Sequence, residues 1–101
     1  MKTMSIQASV EEVIGRIERY LLVNQYKHID INRGSGVIVA LRKKSFFHRG
    51  HYLWLVVKQE SETSTLVELK LNPQKGKRSA ADEIKELKLR SKLFFFIAGD
   101  S

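Results

Sequence analysis

The amino-acid sequence predicts a single α+β domain in which two helices cover one side of an antiparallel meander of four or five strands. Two observations carry this prediction. Apolar residues repeat at helical spacing near each end of the chain, and short apolar, β-branched runs separated by turn residues fill the middle. The 101 residues suit one domain. The predicted order is β-α-β-β-β-β-α, with the two helices packed on one face of the sheet.

A short strand and then a helix open the predicted fold. Residues 4–8 form the candidate first strand, and residues 9–24 form the first helix. Ser9 and Glu12 have the spacing of a capping box, in which the serine side chain accepts a hydrogen bond from the third helical amide. Asn24 readily adopts the left-handed conformation that ends a helix. The apolar face of this helix is formed by Val10, Val13, Ile14, Ile17 and Leu21.

Four strands are predicted after the first helix, at residues 28–33, 37–43, 52–59 and 65–71. Gly34, Ser35 and Gly36 supply the positive-φ positions that a tight hairpin needs. The second and third of these strands are apolar on both faces. Pro73 cannot donate to a strand ladder, so it is predicted to end the last strand.

A second helix is predicted to follow Ser79, with Asp82 as the third residue of its cap. Gly99 ends it. The residues expected to face the sheet recur at intervals of three or four: Ala80, Ile84, Leu87, Ser91, Phe94 and Ala98. The last two turns are apolar nearly all round, because Leu89, Leu93, Phe96 and Ile97 fall outside that stripe.

This order of elements resembles one repeat of the TATA-binding-protein fold and, more loosely, the helix-grip fold of the pollen-allergen and lipid-transfer group. The resemblance covers nearly the whole chain as an element order, and it includes no diagnostic motif of either group. A saddle of the TATA-binding type needs two repeats, so the resemblance implies that a chain with one repeat would dimerise. No functional residue is carried over from either group.

The residue inventory argues against an enzyme. The chain has no cysteine, which excludes disulfides, thiolate metal sites and cysteine nucleophiles. His48 and His51 are predicted to be solvated loop residues among cations, where a divalent metal is opposed by charge. Gly34–Gly36 joins two strands and does not open a helix, so it lacks the form of a phosphate loop. We therefore predict no catalytic residues, no metal and no cofactor, and leave a small-molecule ligand open.

The sequence contains no candidate membrane span or signal peptide. Its longest apolar runs, at residues 37–41, 52–57 and 93–98, are far shorter than the roughly 20 residues needed to cross a bilayer. No apolar core follows the charged residue Lys2 at the N-terminus. The expected location is the cytoplasm.

Net charge points to an anionic partner. Lysine and arginine number 18 against 11 acidic residues, a formal charge of +7. Alternate loops of a meander lie at the same end of the sheet, so one end, the basic end, is predicted to collect eight cations and two phenylalanines. Its candidate polyanion-binding residues are Lys27, Arg42, Lys43, Lys44, Phe46, Phe47, Arg49, Lys75, Lys77 and Arg78.

Three interpretations of the basic end stay open. Cations beside exposed aromatic rings suit single-stranded nucleic acid, whose bases stack on the rings. The same residues suit an anionic membrane surface. In the third interpretation, one phenylalanine anchors the loop under the second helix and the cations only maintain solubility.

A second candidate surface is apolar. If the strand face that carries Tyr52 and Trp54 points away from the helices, it forms an aromatic platform; if not, Trp54 is core. The run at residues 93–97 is either a buried helix end or an interface. The candidate partner-interface residues are Trp54, Leu93, Phe94, Phe95, Phe96 and Ile97. The leading functional prediction is a small non-enzymatic module that contacts a protein partner or itself, with nucleic-acid or membrane binding as the alternative.

Overall fold

The structure, a computed structural model, describes residues 2–44, 50–74 and 76–99. It confirms the α+β class and the predicted order of elements. These elements are β1 (Lys2–Ile6), α1 (Val10–Val23), β2 (Lys27–Asn32), β3 (Val37–Arg42), β4 (His51–Gln59), β5 (Thr65–Pro73) and α2 (Ala80–Ala98).

All five strands form one antiparallel sheet in the order β1-β5-β4-β3-β2. Strands β2 to β5 are the predicted meander, and β1 pairs with β5 at its far edge. β4 is therefore the central strand. Its register places Leu55 between Ile38 of β3 and Leu69 of β5, so these three buried side chains form one row of the core.

α1 begins and ends close to the predicted residues. The Ser9 side chain accepts a hydrogen bond from the Glu12 amide at 3.2 Å. Residues at helical spacing, including Val13 and Ile17, are buried against the sheet. The left-handed residue is Gln25, with φ 66°, and not Asn24. The Asn24 side-chain amide instead donates to the Tyr20 carbonyl at 2.8 Å and so satisfies one of the last helical acceptors.

The structure decides which face of β4 is core, a choice that its sequence left open. Leu53, Leu55 and Val57 point towards the helices and are fully or almost fully buried. The opposite side, the outer face, is formed on β4 by Tyr52, Trp54, Val56 and Lys58. Trp54 is therefore not core.

The predicted sheet-facing stripe of α2 is wrong. Ile84, Leu87 and Phe94 are exposed, whereas Leu93 and Ile97 are buried in the core. Several turns of α2 carry apolar residues on more than one side, and its early turns bury two carboxylates, Asp82 and Glu86. Each carboxylate accepts a hydrogen bond, which makes its burial possible. The buried stripe of α2 therefore begins with polar residues and ends with apolar ones. The spacing of apolar residues alone does not predict such a stripe.

His51 also differs from its prediction as a solvated loop residue. It is the first residue of β4, and it is buried. Its Nε2 lies 2.7 Å from the hydroxyl oxygen of Tyr26, another buried side chain. Both β4 and β5 extend further than predicted at this end of the sheet. β4 begins at His51 and β5 continues to Pro73, and these two residues pair in register. A proline at the last pair of a ladder forfeits little hydrogen bonding.

Gly36 is expected to be indispensable to the β2–β3 hairpin. Its φ is 76°, and a β-carbon there would overlap the carbonyl oxygen of Val57. Gly36→Ala should lower the free energy of unfolding by at least about 1–3 kcal/mol, because it adds left-handed strain to a steric clash. Urea unfolding measures this loss.

Gly15→Ala is the matched control. Gly15 lies in α1, and a methyl group added at its α-carbon would meet only open space. The same glycine-to-alanine change should here raise the free energy of unfolding by up to about 1 kcal/mol, since alanine favours helix. Equal effects of the two substitutions would contradict the described hairpin geometry.

Candidate polyanion-binding site

The structure brings together the connections that the meander predicts at one end. The backbone amide of Gln74, after β5, donates to the carbonyl of Gly50, before β4, at 3.0 Å. Lys27, at the start of β2, pairs in register with Leu41 near the end of β3. The exit of α1, the β3–β4 connection and the β5–α2 connection therefore meet at the basic end.

A depression of about 320 Å³ lies at this end of the sheet. It is lined by Gln25, Lys27, Arg42, Lys43 and Lys44. Of the described residues in this lining, four are cations and none is a carboxylate. The left-handed turn at Gln25 directs the chain from α1 into β2, which sets Lys27 beside the end of β3. Cations of one sign around a concave surface produce a positive potential that attracts anions.

Two buried tyrosines, Tyr20 and Tyr26, lie near enough to Arg42 for its charge to act on them. Burial raises the pKa of Tyr20 and, more strongly, that of Tyr26, and the charge of Arg42 offsets each rise only in part. Both hydroxyls are therefore neutral at physiological pH.

Arg78, another predicted member of the basic end, is occupied by carboxylates. Its guanidinium forms ion pairs with Glu83 and with the fully buried Glu86, the latter at 2.9 Å. The hydrogen bond to Glu86 raises the pKa of Arg78. Hydrogen bonds from Lys2 and Arg78 lower the pKa of Glu83. Arg78 thus fastens the β5–α2 connection to α2.

The apolar spacing of α2 did not predict that Glu86 is buried. Its second carboxylate oxygen accepts a hydrogen bond from the Leu71 amide at 2.7 Å. The residue lies seven positions before Leu93 and eleven before Ile97, which are both buried. Extending that stripe backwards along the helix would have pointed to Glu86.

Four of the predicted basic-end residues, Phe46, Phe47, Arg49 and Lys75, lie outside the described residues, as does His48. Lys77 is described and exposed.

The opposite end of the sheet carries carboxylates. Glu11 and Glu62 line a depression formed by the start of α1 and the β4–β5 turn. Glu60, in the same turn, accepts a hydrogen bond from the Ser5 hydroxyl at 2.9 Å. Among the described residues, cations thus line the depression at the basic end and carboxylates line the depression at the opposite end.

The predicted partner-interface residues are divided by the fold. Leu93 and Ile97 are buried core residues and unavailable to a partner. Phe96 is half-buried, with its ring edge-on to Tyr20 at a centroid distance of 5.4 Å. Phe94 and Phe95 are exposed on α2, Phe95 by 76%, and Trp54 is 48% exposed on the outer face of the sheet.

The described residues contain no cluster of three or more histidine and acidic side chains that could hold a metal ion. Within the same part of the chain, no helix combines the length and the apolar character that a membrane span requires. Comparisons of the chain with models of protein families and with curated proteins find no match.

Removal of Glu86 is expected to destabilise the fold strongly. Glu86→Ala leaves the Leu71 amide without its acceptor and Arg78 without its buried partner. Breaking a buried pair in this way should lower the free energy of unfolding by about 3–5 kcal/mol, measured by urea unfolding.

Glu83→Ala is the control, since it removes an exposed carboxylate from the same arginine. Solvent screens that pair, so a much smaller loss of stability is expected. Glu86→Gln keeps an acceptor for the Leu71 amide and should fall between the two alanine variants. Comparable losses for Glu83→Ala and Glu86→Ala would show that burial of Glu86 does not govern its contribution.

Proposed function

We propose that this chain is a small non-enzymatic binding module that holds a single-stranded nucleic acid by its phosphates at the basic end. The observation that carries the proposal is the depression lined by Lys27, Arg42, Lys43 and Lys44, with no carboxylate among its lining residues. When lysine and arginine bind the phosphate groups of a nucleic acid, condensed counterions are released. This release gives such a surface affinity for nucleic acid even without contacts to the bases.

The character of the lining favours nucleic acid over a membrane surface. Peripheral membrane binding combines cations with apolar side chains that enter the bilayer interface. The described residues that line the depression are all polar or charged. A phosphodiester backbone needs only the cations. The sequence adds Phe46 and Phe47 two and three positions after Lys44. Aromatic rings beside cations suit a single strand, whose bases are free to stack, and they also suit a membrane interface, so binding to anionic vesicles is measured beside oligonucleotide binding.

Two broader parts of the proposal rest on the sequence. A relationship of the fold to one TATA-binding-protein repeat is supported by the element order β-α-β-β-β-β-α. A cytoplasmic location is supported by apolar runs in the sequence that are too short to cross a bilayer.

Binding of a labelled single-stranded oligonucleotide should depend steeply on salt. Four phosphate contacts to a single strand give a slope of about −3 in log affinity against log salt, which is a loss of about 50-fold between about 50 and 200 mM. The double variant Lys43→Gln, Lys44→Gln removes two of these contacts and should halve the slope to about −1.4. Fluorescence anisotropy titrations at several salt concentrations measure both values.

The double variant Lys88→Gln, Lys92→Gln is matched in charge. Both lysines are exposed or half-exposed on α2 and neither lines the depression. This control should retain the slope of the parent chain. An equal loss of slope in the two double variants would show that binding depends on net charge alone and would contradict the proposed site. Binding to anionic vesicles without binding to any oligonucleotide would replace the proposal with a membrane function.

A further inference from the structure

A second surface of the molecule has the composition of an interface. We infer that the outer face of the sheet packs against the outer face of a second copy of this chain, sheet on sheet. This inference is independent of the nucleic-acid proposal, because it uses the side of the sheet turned away from α1 and α2 and none of the cations that line the basic depression.

The centre of the outer face is apolar. An antiparallel sheet covered on one side ordinarily presents polar side chains to water on the other. Here Trp54 is 48% exposed on the central strand and pairs in register with Val39 of β3. Val56, two residues along, pairs with Val37. Trp54, Val56, Glu68, Lys70 and Asn72 line a shallow depression of about 270 Å³. A large aromatic side chain at the centre of such a patch is typical of an interface hot spot.

The edges of the outer face are polar. β1 contributes Thr3 and Ser5 there, both exposed, and β2 contributes Asp30 and Asn32. An apolar centre surrounded by a polar rim is the usual anatomy of a protein–protein interface.

Charge makes a second copy a suitable occupant. The chain as a whole has a formal charge of +7. Away from the corner where Lys27 joins the basic end, however, the outer face balances two carboxylates, Asp30 and Glu68, against Lys58 and Lys70. Glu68 and Lys58 form an ion pair at 3.3 Å. Two copies can therefore meet on this face without bringing like charges together, whereas a polyanion finds no net positive charge on it.

The row of register partners through Trp54 is self-complementary. It runs from Asp30 on β2 through Val39 and Trp54 to Lys70 on β5. A two-fold axis that runs along the strands between β3 and β4 places Trp54 against Val39 of the second copy. The same axis places Lys70 against Asp30 of that copy, so apolar groups meet apolar groups and opposite charges meet at the margins.

The area of the face suits a weak, reversible dimer. The axis between β3 and β4 sets β4 against β3 and β5 against β2 of the second copy, so four strands overlap. Four strands spaced by about 4.8 Å give a width of about 19 Å, and six residues of strand give a length of about 20 Å. The overlap is therefore close to 400 Å² on each copy, or about 800 Å² in total, which is the size of weak and transient contacts. A dimer of low affinity, visible by its dependence on concentration, follows from this area.

Sedimentation velocity of the intact chain at near-physiological ionic strength, over a wide range of concentration, tests the inference. The expected result is a shift from the mass of one chain to twice that mass. Trp54 is the only tryptophan, so its fluorescence reports on the outer face directly. Its emission should move to shorter wavelength over the same concentration range, because dimerisation removes the ring from water.

Two alanine variants separate the outer face from the other exposed aromatic surface. Trp54→Ala should raise the dimer dissociation constant at least about 30-fold, the effect of losing a hot-spot side chain. Phe95→Ala is the control: Phe95 is exposed on α2, on the opposite side of the molecule, and its removal should leave the dissociation constant unchanged. Circular dichroism confirms that each variant is folded.

A monomer throughout the concentration range would overturn the inference. A dimer that Phe95→Ala dissociates, with Trp54 emission independent of concentration, would overturn it as well and assign the contact to α2. Neither result bears on oligonucleotide binding at the basic end, and a failure to bind oligonucleotide leaves the dimer test unaffected, so the two proposals succeed or fail separately.

Discussion

The buried carboxylate of Glu86 joins the helical layer to the sheet. The Leu71 amide of β5 donates a hydrogen bond to the Glu86 carboxylate at 2.7 Å, so a side chain of α2 satisfies a backbone donor of the sheet. Because Arg78 pairs with the other oxygen of Glu86, the same contact ties down the connection that enters α2. The rotation of α2 about its axis follows: with Glu86 inward, Leu93 and Ile97 also enter the core, and Phe95 is left in solvent.

That rotation and the one-sided covering of the sheet together determine the surface of the molecule. Both helices pack on the same side, so the outer face of the central strand stays open even though its residues are largely apolar. Antiparallel sheets tolerate one open face when that face is polar. In this chain the edge strands and β5 carry most of the polar side chains of that face, which leaves Trp54 of β4 and its valine neighbours as the part of the sheet least suited to water. An exposed apolar area of this kind is where association with another molecule is most favourable.

Chain topology, and not local sequence, produces the separation of charge. Lys27 and Lys43 are distant in sequence and line one depression only because β2 and β3 are antiparallel neighbours. Glu11 and Glu62 meet at the opposite end for the same reason. Two surfaces of different chemistry result: a cationic concavity at one end of the strands, and a charge-balanced apolar face across them. The proposed polyanion and the proposed second copy would therefore use separate surfaces of one chain.

The sequence by itself determined the element order, the serine caps of both helices, the meander and the placement of Lys27 near Arg42 to Lys44, because each depends on local periodicity, turn residues or strand direction. It left undecided which face of β4 is core, since Leu53 and Trp54 alternate as equally apolar neighbours. It also misled on α2, whose last turns are apolar on several sides and whose buried stripe starts with carboxylates. Only the tertiary structure decided these two points. The physical reason is that an element with apolar residues on more than one side carries no periodic signal in its sequence. Its orientation is set by partners that are distant in sequence, which are the helices for Leu53 and the Leu71 amide for Glu86.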